Sequence, residues 1–404
     1  MKRLLQTAAL AAATALTLGA AHAAEPIKIG HVVGLSGPLE PYAKQLQTGL
    51  EMGIEYATDG KNEVLGRPIK IITKDTQLKP DRARALLEEA YADDEVDLAV
   101  GPVSSGVALA VLPIAQQYQK IVIPQGVANS ITGQNWNRYV FRVGRNSDQD
   151  AISNAAAIAK KGVCVATLAQ DYAFGRDGVS AYEQAMKKRG GKVVHKEFVP
   201  TDTTDFTAPA QRLFNSLKDR SDCNGKYIFV IWAGGGNPLS KIKDMKPERF
   251  DIKLTTGGNI LPALVAYSEF PGLEGATYYY YEHPNNKVND WLVKEHFKRF
   301  NEPPDFFTAQ GMATGMFIVK ALRKAGSTDT EALIGAMEGM KFDSPKGELT
   351  MRAEDHQTLQ PMYHFRIKVE QRSNWFPNRT VTAGVPELIN VIKASDMDIP
   401  IRNQ

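Results

Sequence analysis

From residue 27 to residue 124 short aliphatic runs alternate with stretches of helical period, and the alternation starts again at residue 163. Strand-like runs at 27–35, 68–75, 98–101 and 121–124 are separated by helical stretches at 43–59, 81–93 and 106–119. Leu46, Leu50, Ile54 and Ala57 recur a turn apart in the first helical stretch, as do Ala83, Leu86, Leu87, Ala90 and Tyr91 in the second. The later series has strands at 163–169, 192–198, 227–232 and 252–256, with helices near 177–189, 206–219 and 237–246. Strands and helices in this order bury their apolar faces as a mostly parallel sheet covered by helices on both sides. The pattern predicts an α/β protein of two doubly wound parallel-sheet lobes. No sequence period relates the two series, which argues against a solenoid.

Polar and glycine-bearing stretches mark where the chain is expected to pass between lobes: Gly144 to Asp148, Gly272 to Ala276, and Ser344 to Gly347. One lobe then comprises 24–143 plus 277–345, and the other 144–276 plus 346–404. Several crossings make a hinge that closes without twisting.

Residues 1–23 belong to neither series. Lys2 and Arg3 precede an apolar run that ends in Ala21-His22-Ala23, the pattern of a secretory signal cleaved after Ala23. The run is shorter than the about 20 apolar residues a membrane span requires, so a periplasmic location is expected. Ala24 stands where a lipoprotein would have cysteine. Lys and Arg number 48 against 45 Asp and Glu, without a basic stripe, so nucleic acid is not an expected partner. The chain is read as a monomer.

In open α/β sheets a ligand binds beyond the carboxyl ends of the strands, where the strand order reverses. The loops at those ends carry glycine, serine and aromatic residues. The first lobe offers Tyr42 after Gly34 to Pro38, then Ser104 and Ser105 opening a helix, then Val127, Ala128 and Asn129. The second offers Tyr172 and Phe174, Trp232 with Gly235, and Gly258 with Asn259. A serine at a helix start, together with the unpaired amides there, suits a carboxylate. The aromatic residues would wall an apolar pocket.

These residues, the segment from Asp171 to Gly178 and the tail stretches Met351 to Gln357 and Gln360 to Tyr363 make the chain resemble the Leu/Ile/Val-binding family. That family comprises type I periplasmic solute-binding proteins of ABC importers. The resemblance implies two Rossmann-like lobes joined by a multi-strand hinge, and an ABC permease in the inner membrane as partner. It also implies that Ser105 and the loop of Val127, Ala128 and Asn129 grip a carboxylate, while Tyr42 and Phe174 flank the ligand. The family's amino-acid binders carry an acid where this chain has Gly258. An ammonium without a partner is costly to bury, so an aromatic or other apolar carboxylate is expected in the room left at Gly258. Asp171 and Glu282 are the alternative sources of the charge, and a hydrophobic amino acid is the alternative ligand. A ligand-sensing domain and a secreted hydrolase or dehydrogenase are the rival functions.

Neither a cofactor nor a metal is expected. Glu354, Asp355 and His356 are adjacent and read as a solvated turn rather than an ion site. Gly234 to Gly236 lack the rest of a nucleotide fingerprint, and neither a serine-nucleophile elbow nor a metalloprotease helix occurs. Cys164 and Cys223 are read as a disulfide, with buried free thiols as the alternative.

Overall fold

A computed structural model describes residues 24–404, so the expected signal segment lies outside the described residues. The first series folds as β1 (Ile27–Val33), α1 (Glu40–Ala57), β2 (Glu63–Val64), β3 (Arg67–Asp75), α2 (Pro80–Ala92), β4 (Leu98–Val100), α3 (Ser105–Tyr118) and β5 (Val122–Ile123). The second folds as α4 (Ser147–Ile158), β6 (Val163–Gln170), α5 (Ala173–Lys188), β7 (Lys192–Val199), α6 (Thr207–Leu217), β8 (Gly225–Ile231), α7 (Leu239–Asp244), β9 (Ile252–Thr256), α8 (Leu261–Ala266) and β10 (Glu274–Thr277). The chain continues through α9 (Lys287–Phe300), α10 (Phe306–Ala325), α11 (Thr330–Met337), β11 (Lys341–Ser344), β12 (Gly347–Met351), β13 (Thr358–Leu359), β14 (Met362–Phe376) and β15 (Arg379–Ile392).

The first sheet has the order β2-β3-β1-β4-β5 and the second β7-β6-β8-β9, with every pairing parallel except β2 with β3. The chain steps to one side of β1 and then to the other, and does the same around β6. Each reversal leaves a crevice at the strands' carboxyl ends. The expected α/β class and both parallel sheets are present.

Helix α10 was not part of the periodic pattern, because nearly all of its residues are buried and no polar stripe breaks the run. It lies directly on α1. A Cβ at Gly311 would overlap the backbone of Leu46, and one at Gly53 would overlap that of Met312. Glycine on both helices is what lets the two backbones touch.

The crossing expected at Ser344 to Gly347 is a hairpin turn instead, with Ser344 paired to Gly347. Phe342, Leu349 and Met351 pack into the same core as Ile27 and Val100, so the chain remains with the first sheet there. It leaves after Leu359, and β14 then joins β10 and β15 in a separate sheet. A turn signal and a linker signal have the same composition, which is why the pattern confused them. The segment Glu354 to His356 is likewise not a solvated turn. Asp355 is buried against Arg352, and His356 stacks on Phe141 with ring centroids 3.8 Å apart.

Cys164, in β6, and Cys223, just before β8, form a disulfide with Cα atoms 5.6 Å apart. Closing a loop with a sequence separation of 59 stabilises by about 4 kcal/mol in the chain-entropy account. No helix among the described residues is long and apolar enough to cross a membrane.

Candidate functional site

The carboxyl ends of the two parallel sheets face one another across a cavity of ≈ 980 Å³, mouth included. From the first lobe Tyr42, Ser105 and Val127 line it. From the second come Tyr172, Phe174, Trp232, Gly258 and Asn259. Ser104, Ala128, Asn129 and Gly235 do not line the cavity.

Ser105 is the first residue of α3, and its Oγ accepts the amides of Val127 and Ala128, both at 3.2 Å. Two amides of the loop expected to grip a carboxylate are therefore spent on the serine. Two accepted bonds leave the hydroxyl proton free to be donated into the cavity. The Ser104 side chain makes no capping bond, so the opening amides of α3 have no side-chain partner from that residue. Ala128 offers its carbonyl to Arg142, and the Asn129 side chain accepts the amide of Asp148. These two residues hold the loop in place rather than reach a guest.

The aromatic residues also tie the lobes together. The Tyr42 hydroxyl accepts the amide of Gly234 at 2.8 Å and donates to Asn259 Oδ1 at 3.3 Å, while its ring stacks on Phe307 at 4.4 Å. Trp232 Nε1 donates to the carbonyl of Gly235 at 2.9 Å, which makes Gly235 a support for the indole rather than a wall. Phe229, Tyr278, Phe306 and Phe307 complete the aromatic part of the lining. The sequence reading missed these four. Two open α10, nearly all of which is buried, and Tyr278 follows β10 where only a crossing was expected.

Gly258 does not open the space expected of it, because a Cβ there would overlap the Thr277 side chain. No acid can occupy that position on this backbone. Asp171 is paired with Arg176 and Glu282 with Arg372, and neither lines the cavity. The one carboxylate lining the cavity among the described residues is Asp150, on α4. Arg145 Nε donates to both of its oxygens, at 2.8 and 3.0 Å. The guanidinium lies over Phe306 at 4.5 Å and Tyr278 at 5.3 Å, both within the range of a cation–π contact. Burial pushes the Asp150 carboxyl above its usual range, against the pull of Arg145. Arg145 was missed because Gly144 to Asp148 reads as a polar hinge segment, and Asp150 lies just beyond it in α4. Arg145 and Ser147, from the segment expected as a hinge, line the cavity.

A second half-buried acid also spans the cleft. Asp305 caps α10, accepting the amide of Phe306 at 2.7 Å, that of Leu261 at 2.9 Å and Gln45 Nε2 at 3.0 Å. Burial raises its pKa to about 7, against those three donated bonds. Unfolded aspartate titrates near 3.9, so the folded chain holds this proton more tightly. The stabilisation from protonating it is fully present below about pH 4 and is lost as pH rises through about 7. Asp305→Asn mimics the protonated form. In thermal melts from pH 4 to pH 8 the wild type should start level with the variant and fall below it. A wild type that instead gains on the variant as pH rises would show the amides outweighing burial.

Residues 26–373 match the model of a family described as periplasmic binding protein. The Leu/Ile/Val-binding protein homolog 6 of Brucella melitensis is 26% identical over 372 residues, covering 88% of this chain and 91% of its own. The crystal structure of an ABC-type branched-chain amino acid transporter from Rhodopseudomonas palustris is 58% identical with a TM-score of 0.82, covering 94% of this chain and 100% of that one. A solute binding protein of an ABC transporter from Rhodopseudomonas palustris, in complex with 3,4-dihydroxy benzoic acid, is 25% identical with a TM-score of 0.75. That match covers 91% of this chain and 98% of the other.

Proposed function

For a chain that belongs to the periplasmic binding protein family, as a solute-binding protein of an ABC transporter, we propose that the guest is an aromatic carboxylate. The observation that carries this reading is the combination of an aromatic lining with a carboxylate site at the start of α3 and, among the described residues, no unpaired acid in the cavity to receive an ammonium. The carboxylate would take the Ser105 proton and the first amides of α3, where the helix dipole favours negative charge. The ring would lie among Tyr42, Phe174 and Trp232, contributed by both lobes. A guest that touches both lobes binds the closed form better than the open one, and that difference drives closure. The relative carrying 3,4-dihydroxy benzoic acid supports this class of guest. A hydrophobic amino acid is the second reading, favoured by the branched-chain amino acid relatives and by Asp150 if it were to leave Arg145 for an ammonium.

In the same reading the exported chain is cut after Ala23, works as a monomer, and presents its closed form to an inner-membrane permease. A thermal-shift screen of the mature protein decides between the guests. A ligand at 100 times its dissociation constant adds about 2.7 kcal/mol, so benzoate-type acids should raise the melting temperature and leucine and valine should not. Stabilisation by leucine or valine with none by any aromatic acid would reverse the assignment.

A further inference from the structure

Arg145 and Asp150 stand in the aromatic cavity as a complete ion pair, and nothing about holding a single carboxylate at α3 requires them. Such a pair is costly to keep out of water, and replacing it by apolar side chains of similar volume is often neutral or stabilising. Its place on the cavity wall therefore calls for a partner on the guest. We propose that the Arg145–Asp150 pair reads a hydroxyl on the ring, so that the protein selects hydroxylated aromatic acids over unsubstituted ones. This inference rests on the aromatic-acid reading above.

The chemistry of the pair narrows the partner group. Both Asp150 oxygens accept from the same Arg145 nitrogen, Nε, and a carboxylate oxygen accepts more than one bond. Of the guanidinium's other nitrogens, Nη1 reaches Gln310 only at 3.5 Å. The pair thus offers acceptor capacity on one member and N–H donors on the other. A phenolic hydroxyl uses both, donating to Asp150 while accepting from Arg145. An ammonium meets repulsion from Arg145, a second carboxylate meets repulsion from Asp150, and an ether accepts but cannot donate. The pair is also held in place before any guest arrives. Phe306 and Tyr278 support the guanidinium, and the first turn of α4 carries Asp150 behind a capping box formed by Asn146 and Gln149. A rigid donor–acceptor pair discriminates because an analogue lacking the hydroxyl desolvates both groups and replaces neither bond.

Calorimetric titration of the mature chain tests this, using benzoate, 3-hydroxybenzoate, 4-hydroxybenzoate, 4-methoxybenzoate and terephthalate. At least one hydroxybenzoate should bind about tenfold or more tighter than benzoate, the effect of one hydrogen bond to a charged group. The methoxy acid and terephthalate should show no such gain. In Asp150→Asn the ratio of hydroxybenzoate to benzoate affinity should fall to about one, whatever the change in benzoate itself. If that variant folds poorly, Arg145→Met with Asp150→Leu removes both charges together and should give the same loss of preference. Equal affinities for benzoate and the hydroxybenzoates in the wild type would overturn the inference and leave the aromatic-acid reading standing. So would an equal loss for both acids in Asp150→Asn. Binding of leucine with no aromatic acid bound would overturn both.

Discussion

Gly311→Val should abolish folding of the first lobe, because the new side chain would have to enter the backbone of α1. A Cβ at Gly311 already overlaps Leu46, and its next neighbours are the amide of Leu50 at 2.8 Å and the Cα of Gly49 at 3.0 Å. Backbone cannot change rotamer to make room, so the helices must separate along a contact that buries Leu46, Leu50 and Met312. Overpacking of an adaptable core costs about 1–3 kcal/mol. Here the whole contact is lost, and a cost of about 4 kcal/mol or more is expected, large against a typical total of about 5–15. Soluble yield and the circular dichroism melt report it. Gly335→Ala is the control. Gly335 is an exposed α11 glycine with open space at its Cβ, and the change should be neutral or stabilise by up to about 1 kcal/mol. A Gly311→Val protein that melts with the wild type would show that the helices are not in backbone contact.

Ser105→Ala should weaken capture of the carboxylate by roughly 10- to 100-fold, the effect of losing a hydrogen bond to a charged group. It should also lower the stability of the unliganded protein. The amides of Val127 and Ala128 both donate to Ser105 Oγ, and the Ser105 side is buried. Each buried donor left without a partner costs about 1–3 kcal/mol. Ser104→Ala separates this from any general effect of the loop, since Ser104 neither lines the cavity nor caps the helix. That variant should keep wild-type affinity and stability to within about 0.5 kcal/mol. Equal losses in the two variants would remove Ser105 from its assigned role.

Much of the architecture could be read from periodicity. Amphipathic helices such as α1 and α2 show their buried face in sequence, and the strands between them are short aliphatic runs. The reversal of strand order then directs attention to the carboxyl-end loops, and Tyr42, Ser105 and Trp232 from them line the cavity. Features that depend on a neighbour distant in the chain were not legible. Whether Gly258 leaves room depends on Thr277, and whether Gly235 faces a guest depends on the indole of Trp232. Arg145 looked like a hinge residue because a polar run near a lobe boundary carries one composition whether it faces solvent or a cavity. The polar run at Glu354 to His356 shows the same ambiguity, its last two members being buried by Arg352 and Phe141.

A crystal structure of the mature chain grown with 4-hydroxybenzoate shows where the guest sits. One guest is expected between the lobes, its carboxylate within about 3 Å of Ser105 Oγ and the opening amides of α3, and its ring between Tyr42 and Trp232. A carboxylate bound at Arg145 instead, or a guest seated outside the cleft, would contradict this arrangement.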